Sequence, residues 1–350
     1  MMSAQSDSNT LRPPGAPLKR FLNFLWYGFL KASWVGLVSV IDEAIHKPQK
    51  FDYEALPKRT GQTVVLTGGN RGIGLDILRK LLQLNYHVIL GVRSTQSCLQ
   101  AIQTVRKSGI TSGTTKCLTL DLKSLQSVQE FAQEVLTEND RIDMLINNAG
   151  ILGVPYELTK DGFEVQFQVN YLSHFLLTQL LLPKMKETGA TKESCCRIIN
   201  VSSEAHYASG IGNFEDVVRP KVYTKFRAYG DSKVCQILFT KYLDAQLNSE
   251  KANVRVYAVH PGVIPTELYG SVKIFYGAMR AASRIYRSSD EGADVVMYAV
   301  LSPEIENKGG SYIHNSRITK SSALSENPSR QKSLWDLSQC LVEPIVQRNR

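Results

Sequence analysis

Cysteine is scarce in this 350-residue chain: six residues, at 98, 117, 195, 196, 235 and 340, with no CxxC pair and no histidine at ligand spacing. That excludes a zinc module, and a chain of this length needs no disulfide framework, so buried free thiols and no metal site are expected. No repeat and no internal Pro/Gly/Ser-rich linker interrupts residues 61–315, which excludes a solenoid or a string of small modules. Concentrated charge is also missing. The formal charge of +9 (41 Lys+Arg, 32 Asp+Glu) is spread out, with +3 of it in the first 60 residues (eight basic, five acidic). A nucleic-acid binder gathers its positive charge on one element with interleaved aromatics, so no nucleic-acid partner is expected. The lone sequon, Asn200-Val201-Ser202, lies in a strand-like run that no glycan could reach in a folded domain.

A composition of 43% hydrophobic and 21% charged residues is that of a globular protein. Residues 21–41 are mostly apolar and about as long as a bilayer span. Lys31 sits at their centre, however, and Arg20, Asn23, Tyr27 and Lys31 share one helical flank, a pattern that fits an interfacial anchor as well as a span. Asp42 and Glu43 follow directly, so no small-residue cleavage site marks a signal peptide, and basic residues at both ends leave the orientation open.

From Gln62 onward, short β-rich runs (TVVLT, HVILGV, KCLTL, DMLIN, CRIINVSS, VRVYAVH, SYI) alternate with helical patterns. Alternation of this kind predicts an α/β fold with a parallel sheet covered on both faces. Three parts are expected: a leader over 1–60, one domain over 61–315, and a tail over 316–350. The first strand runs into Gly68-Gly69-Asn70-Arg71-Gly72-Ile73-Gly74 and then a helix, the arrangement that brings backbone N–H groups and a helix dipole to a pyrophosphate. The second strand ends Leu90-Gly91-Val92-Arg93, without the carboxylate that would bind a free ribose. Arg71 and Arg93 suit a 2′-phosphate instead, and so NADP(H). Asp121 closes the third strand, placed for the adenine. Asn147-Asn148-Ala149-Gly150 closes the fourth at the crevice for ribose and nicotinamide.

At the chemical end, Tyr229 and Lys233 lie four apart on one helical face, where an ammonium would lower a phenol's pKa and let it exchange a proton with a substrate oxygen. Ser202-Ser203 ends a strand at the carboxyl edge of the sheet. Asn170 lies within a helix that an Asp161-x-x-Glu164 capping box is expected to open.

The ordered set TGGNRGIG, DL at 121, NNAG, Asn170, SS at 202, YGDSK and PGVIPT resembles the short-chain dehydrogenase/reductases. SSEAH, DGFEVQFQVNYLSHFLLTQLLLP and PGVIPTELY resemble the retinol-dehydrogenase-like branch of that family. The resemblance implies a Rossmann-type doubly wound sheet and a catalytic tetrad: Asn170 positioning a water, Ser203 holding the substrate oxygen, Tyr229 as acid/base and Lys233 touching the ribose. Cofactor contacts are implied at Gly68, Asn70, Arg71, Gly72, Ile73, Gly74, Arg93, Asp121, Asn148, Gly150, Tyr229, Lys233, Pro261, Gly262 and Thr266. Further implications are a lipophilic alcohol or carbonyl substrate (retinoid, steroid or long-chain isoprenoid), attachment to membrane lipid at the endoplasmic reticulum or a lipid droplet, and pairing of two copies through the long helices after Asp161 and Tyr229. His206 is expected in the substrate pocket with Tyr207, Phe214 and Tyr223. Over 266–289, where the family places its substrate loop, Leu268, Val272, Phe275, Met279, Ala282 and Tyr286 form an apolar stripe. Lys273, Arg280, Arg284 and Arg287 share another flank, and no acidic residue occurs from 268 to 289, so a basic amphipathic lid facing its own pocket or lipid is expected. The competing reading, a non-catalytic NADP-sensing scaffold, would need the glycines but not a phenol beside an ammonium.

Overall fold

The structure is a computed structural model that describes residues 30–191, 195–271, 277, 281 and 286–347. The seven apolar runs all form strands: β1 (Thr63–Thr67), β2 (His87–Val92), β3 (Thr114–Thr119), β4 (Met144–Asn147), β5 (Cys196–Val201), β6 (Val254–His260) and β7 (Tyr312–His314). They are parallel, in the order β3-β2-β1-β4-β5-β6-β7. Because successive strand residues face opposite sides, Val65 enters one core while Val64 and Leu66 enter the other. Every residue of β1 is buried, as a strand covered on both faces requires. The order in which strands are added to the sheet reverses between β1 and β4, and the edge crevice there holds the site.

The principal helices are α1 (Lys31–Ile45), α2 (Gly72–Gln83), α3 (Thr95–Lys107), α4 (Leu125–Glu138), α5 (Ser173–Ala190), α6 (Lys225–Ser249), α7 (Ser289–Leu301) and α8 (Pro328–Gln347). α2, α3 and α7 cover one face of the sheet, and α4, α5 and α6 cover the other. The helix opening expected at Asp161 starts three residues later: Glu164 is the cap, accepting from Phe167 N–H at 2.7 Å, while Asp161 accepts from Leu125 N–H and the Gln168 amide. Between this cap and α5 lies one π-helical turn, Gln168–Leu172, which contains Asn170.

The domain does not stop at 315. Arg317–Thr319 forms β8, antiparallel to β7, and α8 packs back on the core. Leu334 is fully buried, Trp335 meets Phe175 edge-on and stacks on Phe239, and Ser338 hydrogen-bonds Tyr171. α8 thus packs on α6 and touches α5 through Trp335, on the side through which pairing of two copies is expected.

One further expectation changes. Cys98 of α3 is disulfide-bonded to Cys117 of β3, because the helix crosses its own strand with their Cα atoms 6.2 Å apart. Of the four free cysteines, Cys195, Cys196 and Cys235 are buried as expected, and Cys340 is exposed. Residues 21–29 of the apolar leader lie outside the described residues. The remainder begins α1, which docks beside the 3₁₀ turn Glu204–Ala208. No described helix is long and apolar enough to cross a membrane.

Leu334→Ala should lower unfolding stability by about 2–5 kcal/mol, the usual cost of emptying a buried leucine site, as measured by urea denaturation.

Candidate active site

The glycine turn is fixed by close packing. Gly68 and Gly72 have φ of +69° and +53°, and a Cβ on Gly74 would stand 2.1 Å from the Gly68 carbonyl oxygen. The turn is clamped to the end of β4 by Thr67, whose hydroxyl accepts from the N–H groups of Asn148 and Ala149, both at 3.0 Å. The Asn148 amide donates back to the Thr67 and Gly68 carbonyls. Behind them His174 meets the Thr67 hydroxyl at 3.0 Å, its pKa pushed down to about 4 by burial, so it stays neutral.

A cleft of about 640 Å³ opens over this turn. Gly68, Asn70, Arg71, Gly72, Ile73 and Gly74 form its floor, Arg93 and Asp121 its outer end, and Asn148, Gly150 and Thr266 its inner wall. The N-terminus of α2 and an outer end with Arg93 suit an anionic dinucleotide. The sequence reading missed Ser94 and Ser97, which line the same end. Ser94 caps α3 by accepting from Ser97 N–H, and Ser97 Oγ accepts from the Asn70 amide at 3.0 Å. The Ser-x-x-Ser spacing after β2 was the available signal. Arg71 pairs with Glu267 at 2.7 Å across the cleft mouth. With 55% and 66% of these side chains exposed, the pair is weak enough to yield to a phosphate. Pro261 and Gly262 stand outside the cleft lining, on the loop leading to Thr266.

Behind the cleft wall, Tyr229 is buried beside Ser203, whose hydroxyl caps the Glu204–Ala208 turn. The neighbouring Ser202 is committed elsewhere, donating to the Lys233 carbonyl at 2.9 Å. Lys233 Nζ donates to Val201 O at 2.7 Å and Gln236 Oε1 at 3.1 Å, and it lies 5.5 Å from the Tyr229 ring centre. Burial pushes the Tyr229 phenol up to about 12 against the pull of Ser203, and pushes Lys233 down to about 7. In the protein alone the ammonium therefore does not lower the phenol's pKa, because burial disfavours both charges. Asn170 ties the site together. Its side chain accepts from Ile151 N–H and donates to Ile151 O and Ser232 Oγ, and its carbonyl accepts from Gln236. A Cβ on Gly150 would sit 3.2 Å from the Asn170 oxygen and 3.8 Å from Lys233 Nζ, so nothing larger than glycine's hydrogen separates the cleft from this relay.

His206 is placed differently from expectation. Its Nδ1 meets Ser203 O at 2.7 Å and its Nε2 accepts from Ser322 N–H, so neither nitrogen is open to a substrate; burial holds its pKa near 4. It secures the segment after β8 instead. Phe214 is buried in the core, Tyr207 donates to Lys320 O, and Tyr223 donates to Val154 O. Most of the expected lid (Val272, Lys273, Phe275, Met279, Arg280, Ala282 and Arg284) lies outside the described residues. Leu268 lines the cleft. Arg287 leaves the predicted basic flank: it is 5% exposed and donates to Pro261 O and Asn315 Oδ1.

A family profile described as short chain dehydrogenase matches residues 62–275. The chain belongs to that family. It is an oxidoreductase. A zebrafish (Danio rerio) polyprenol dehydrogenase is 35% identical over 317 residues, spanning 90% of this chain and 96% of the relative. Mouse (Mus musculus) retinol dehydrogenase 14 is 37% identical over 295 residues, 81% and 86% of the two chains. Among solved structures, an uncharacterized protein from Mycobacterium paratuberculosis superposes with a TM-score of 0.66 at 32% identity, covering 84% of this chain and 98% of that one.

Near pH 8 Lys233, at about 7, is mostly neutral, and an anionic cofactor beside it favours the ammonium. Binding of NADPH at pH 8 should therefore take up protons, seen as a buffer-dependent calorimetric heat that Lys233→Met removes. Equal heats in buffers of different ionisation enthalpy would contradict the placement of Lys233.

Proposed function

We propose that the chain is an NADP(H)-dependent oxidoreductase that interconverts a lipophilic alcohol and its aldehyde or ketone at a membrane surface, on substrates of the long-chain isoprenoid, retinoid or steroid class. The observation that carries this is the buried pair Tyr229 and Lys233, with Ser203 beside the phenol, lying next to a cleft whose outer end holds Arg93 and whose inner wall is a glycine beside Lys233. When bound, the nicotinamide nucleotide supplies or accepts the hydride. In the reduction direction Ser203 holds the carbonyl oxygen, and Tyr229, a neutral acid with its pKa raised by burial, gives its proton to that oxygen. Lys233, held by Val201 and Gln236, faces the ribose side. Asn170 fixes the Ile151 backbone and, through Gln236, the lysine; a water at this relay would resupply the proton. Arg93 with Ser94 and Ser97 selects the 2′-phosphate.

The lipid reading rests on the names of the relatives and on α1. Leu30, Trp34, Leu37, Val38, Ile41 and Ile45 are 45–69% exposed and fall on one helical face, while Ser39 and Glu43 on the opposite face are buried against the domain. Lys31, which would burden a spanning helix, donates to Ser209 O instead. Such a helix lies in a membrane interface with its stripe outward, beside the catalytic end of the sheet.

A panel of polyprenals, retinals and ketosteroids should show at least one class driving NADPH oxidation, with NADH much poorer. Tyr229→Phe should abolish turnover while leaving NADPH affinity within about twofold. Arg93→Ala should weaken NADPH about 10- to 100-fold with NADH unchanged, the loss expected for a charge-assisted phosphate contact. Turnover by the Tyr229→Phe protein, or equal use of both nucleotides, would overturn the corresponding part of the reading. Trp34→Glu with Leu37→Glu should cut vesicle binding more than tenfold without changing NADPH affinity, since two exposed apolar anchors are removed.

A further inference from the structure

Outside the cleft, a group of buried ionisable side chains joins α1 to the ends of β6 and β7. Glu43, on the inner face of α1, is 4% exposed. It accepts from the Val263 N–H through both carboxylate oxygens, at 2.9 and 3.0 Å, and from Ser39 Oγ at 2.8 Å, and it meets His260 Nε2 at 3.2 Å. His314 stands 3.9 Å away and is held by Glu204 through its other nitrogen at 2.9 Å. Three of these atoms, from Glu43, His260 and His314, lie within 4.8 Å of one another, as metal ligands would. Yet the Arg287 guanidinium already stands beside Glu43: a Cβ on Gly262 would touch Arg287 at 2.8 Å and Glu43 at 3.1 Å. The positive charge that a cation would bring is supplied by the protein, and the cluster works as a fastening.

What it fastens is the backbone of residues 261–263. Arg287 takes the Pro261 carbonyl at 3.1 Å, Glu43 takes the Val263 N–H, and Gly262 between them adopts φ +112°, which only glycine accommodates readily. Three residues on, Thr266 lines the cleft opposite Gly72. The loop that closes the inner wall of the cleft is thus held on one side by the segment before α7 and on the other by a carboxylate belonging to the N-terminal helix.

We propose that Glu43 is a positioning residue for the cofactor: by holding the Val263 N–H it makes the seating of α1 part of the cofactor-binding loop, so that loss of this contact weakens NADPH binding without touching the proton-transfer groups. This rests on the reading of residues 261–266 as the cofactor loop. The test begins with NADPH binding to the wild-type full-length protein, followed by nucleotide fluorescence; absence of binding there would count against that reading and not against Glu43 alone.

Given binding, Glu43→Ala should raise the NADPH Kd and KM about tenfold, the effect of deleting a charge-assisted bond to a backbone N–H, with kcat at saturation within about twofold. Without nucleotide, hydrogen exchange of the peptide covering Val263 should speed up by a similar factor. Glu43→Gln, which keeps an acceptor for Val263, should recover most of the affinity. Leu334→Ala, which weakens the fold far from this loop, should leave the Kd unchanged. An unaltered Kd and Val263 exchange in Glu43→Ala would overturn the proposal, as would a fall in kcat with KM unchanged. An equal rise in Kd for Leu334→Ala would overturn it too, since the effect would then be one of general stability.

Discussion

The cleft depends on a cross-link between two strand ends. β1 and β4 are neighbours whose following segments must part to opposite sides, and a gap opens wherever a parallel sheet does this. Thr67 and Asn148 hold the gap at a fixed width: a hydroxyl accepts two backbone N–H groups in one direction, and an amide donates to two carbonyls in the other. Backbone polar groups that strand ends would leave unpaired are satisfied within the clamp. The glycine turn can then approach so closely that position 74 has no room for a methyl group. With the floor fixed, the position of Tyr229 relative to the cleft follows from the packing of α6 on β5.

Burial acts on the two ionisable members of the site in opposite directions, up for the phenol and down for the ammonium, and both shifts favour neutral forms. The resting site therefore carries less charge than the same side chains would in water. A phenol kept neutral is ready to act as an acid, while a lysine with a lowered pKa takes up a proton when an anion arrives beside it. Under the proposed function, the lysine would respond to the cofactor before it acts on the tyrosine.

How much of this could be read from the sequence depended on distance along the chain. The strands, the glycine turn, the Tyr229/Lys233 spacing and the missing carboxylate after β2 are local patterns, legible because secondary structure repeats over a few residues. The helix start was misplaced by three residues because Asp161 and Glu164 both look like caps, and only tertiary contacts to Leu125 and Gln168 draw Asp161 away. Arg287 was misread because a helical wheel carried on to the end of the predicted lid, whereas the residue sits at the turn before α7, facing inward. The contacts of Glu43 with Val263, Arg287 and His314 bridge more than 200 positions, and no periodicity reports them. α8 escaped notice for a compositional reason: its Ser, Gln and Arg content masked Leu334, Ser338 and Val342, which recur every four residues on the buried face.

That last helix changes how the core is completed. In a protein whose long helices are covered by a second copy, finishing the apolar core is a bimolecular event governed by mass action and lost on dilution. Here Trp335 and Leu334 arrive on the same chain, some ninety residues after the helix they cover. The effective concentration of the covering surface is set by a tether and not by abundance, so this part of the fold is as complete in a lone molecule as in a crowd.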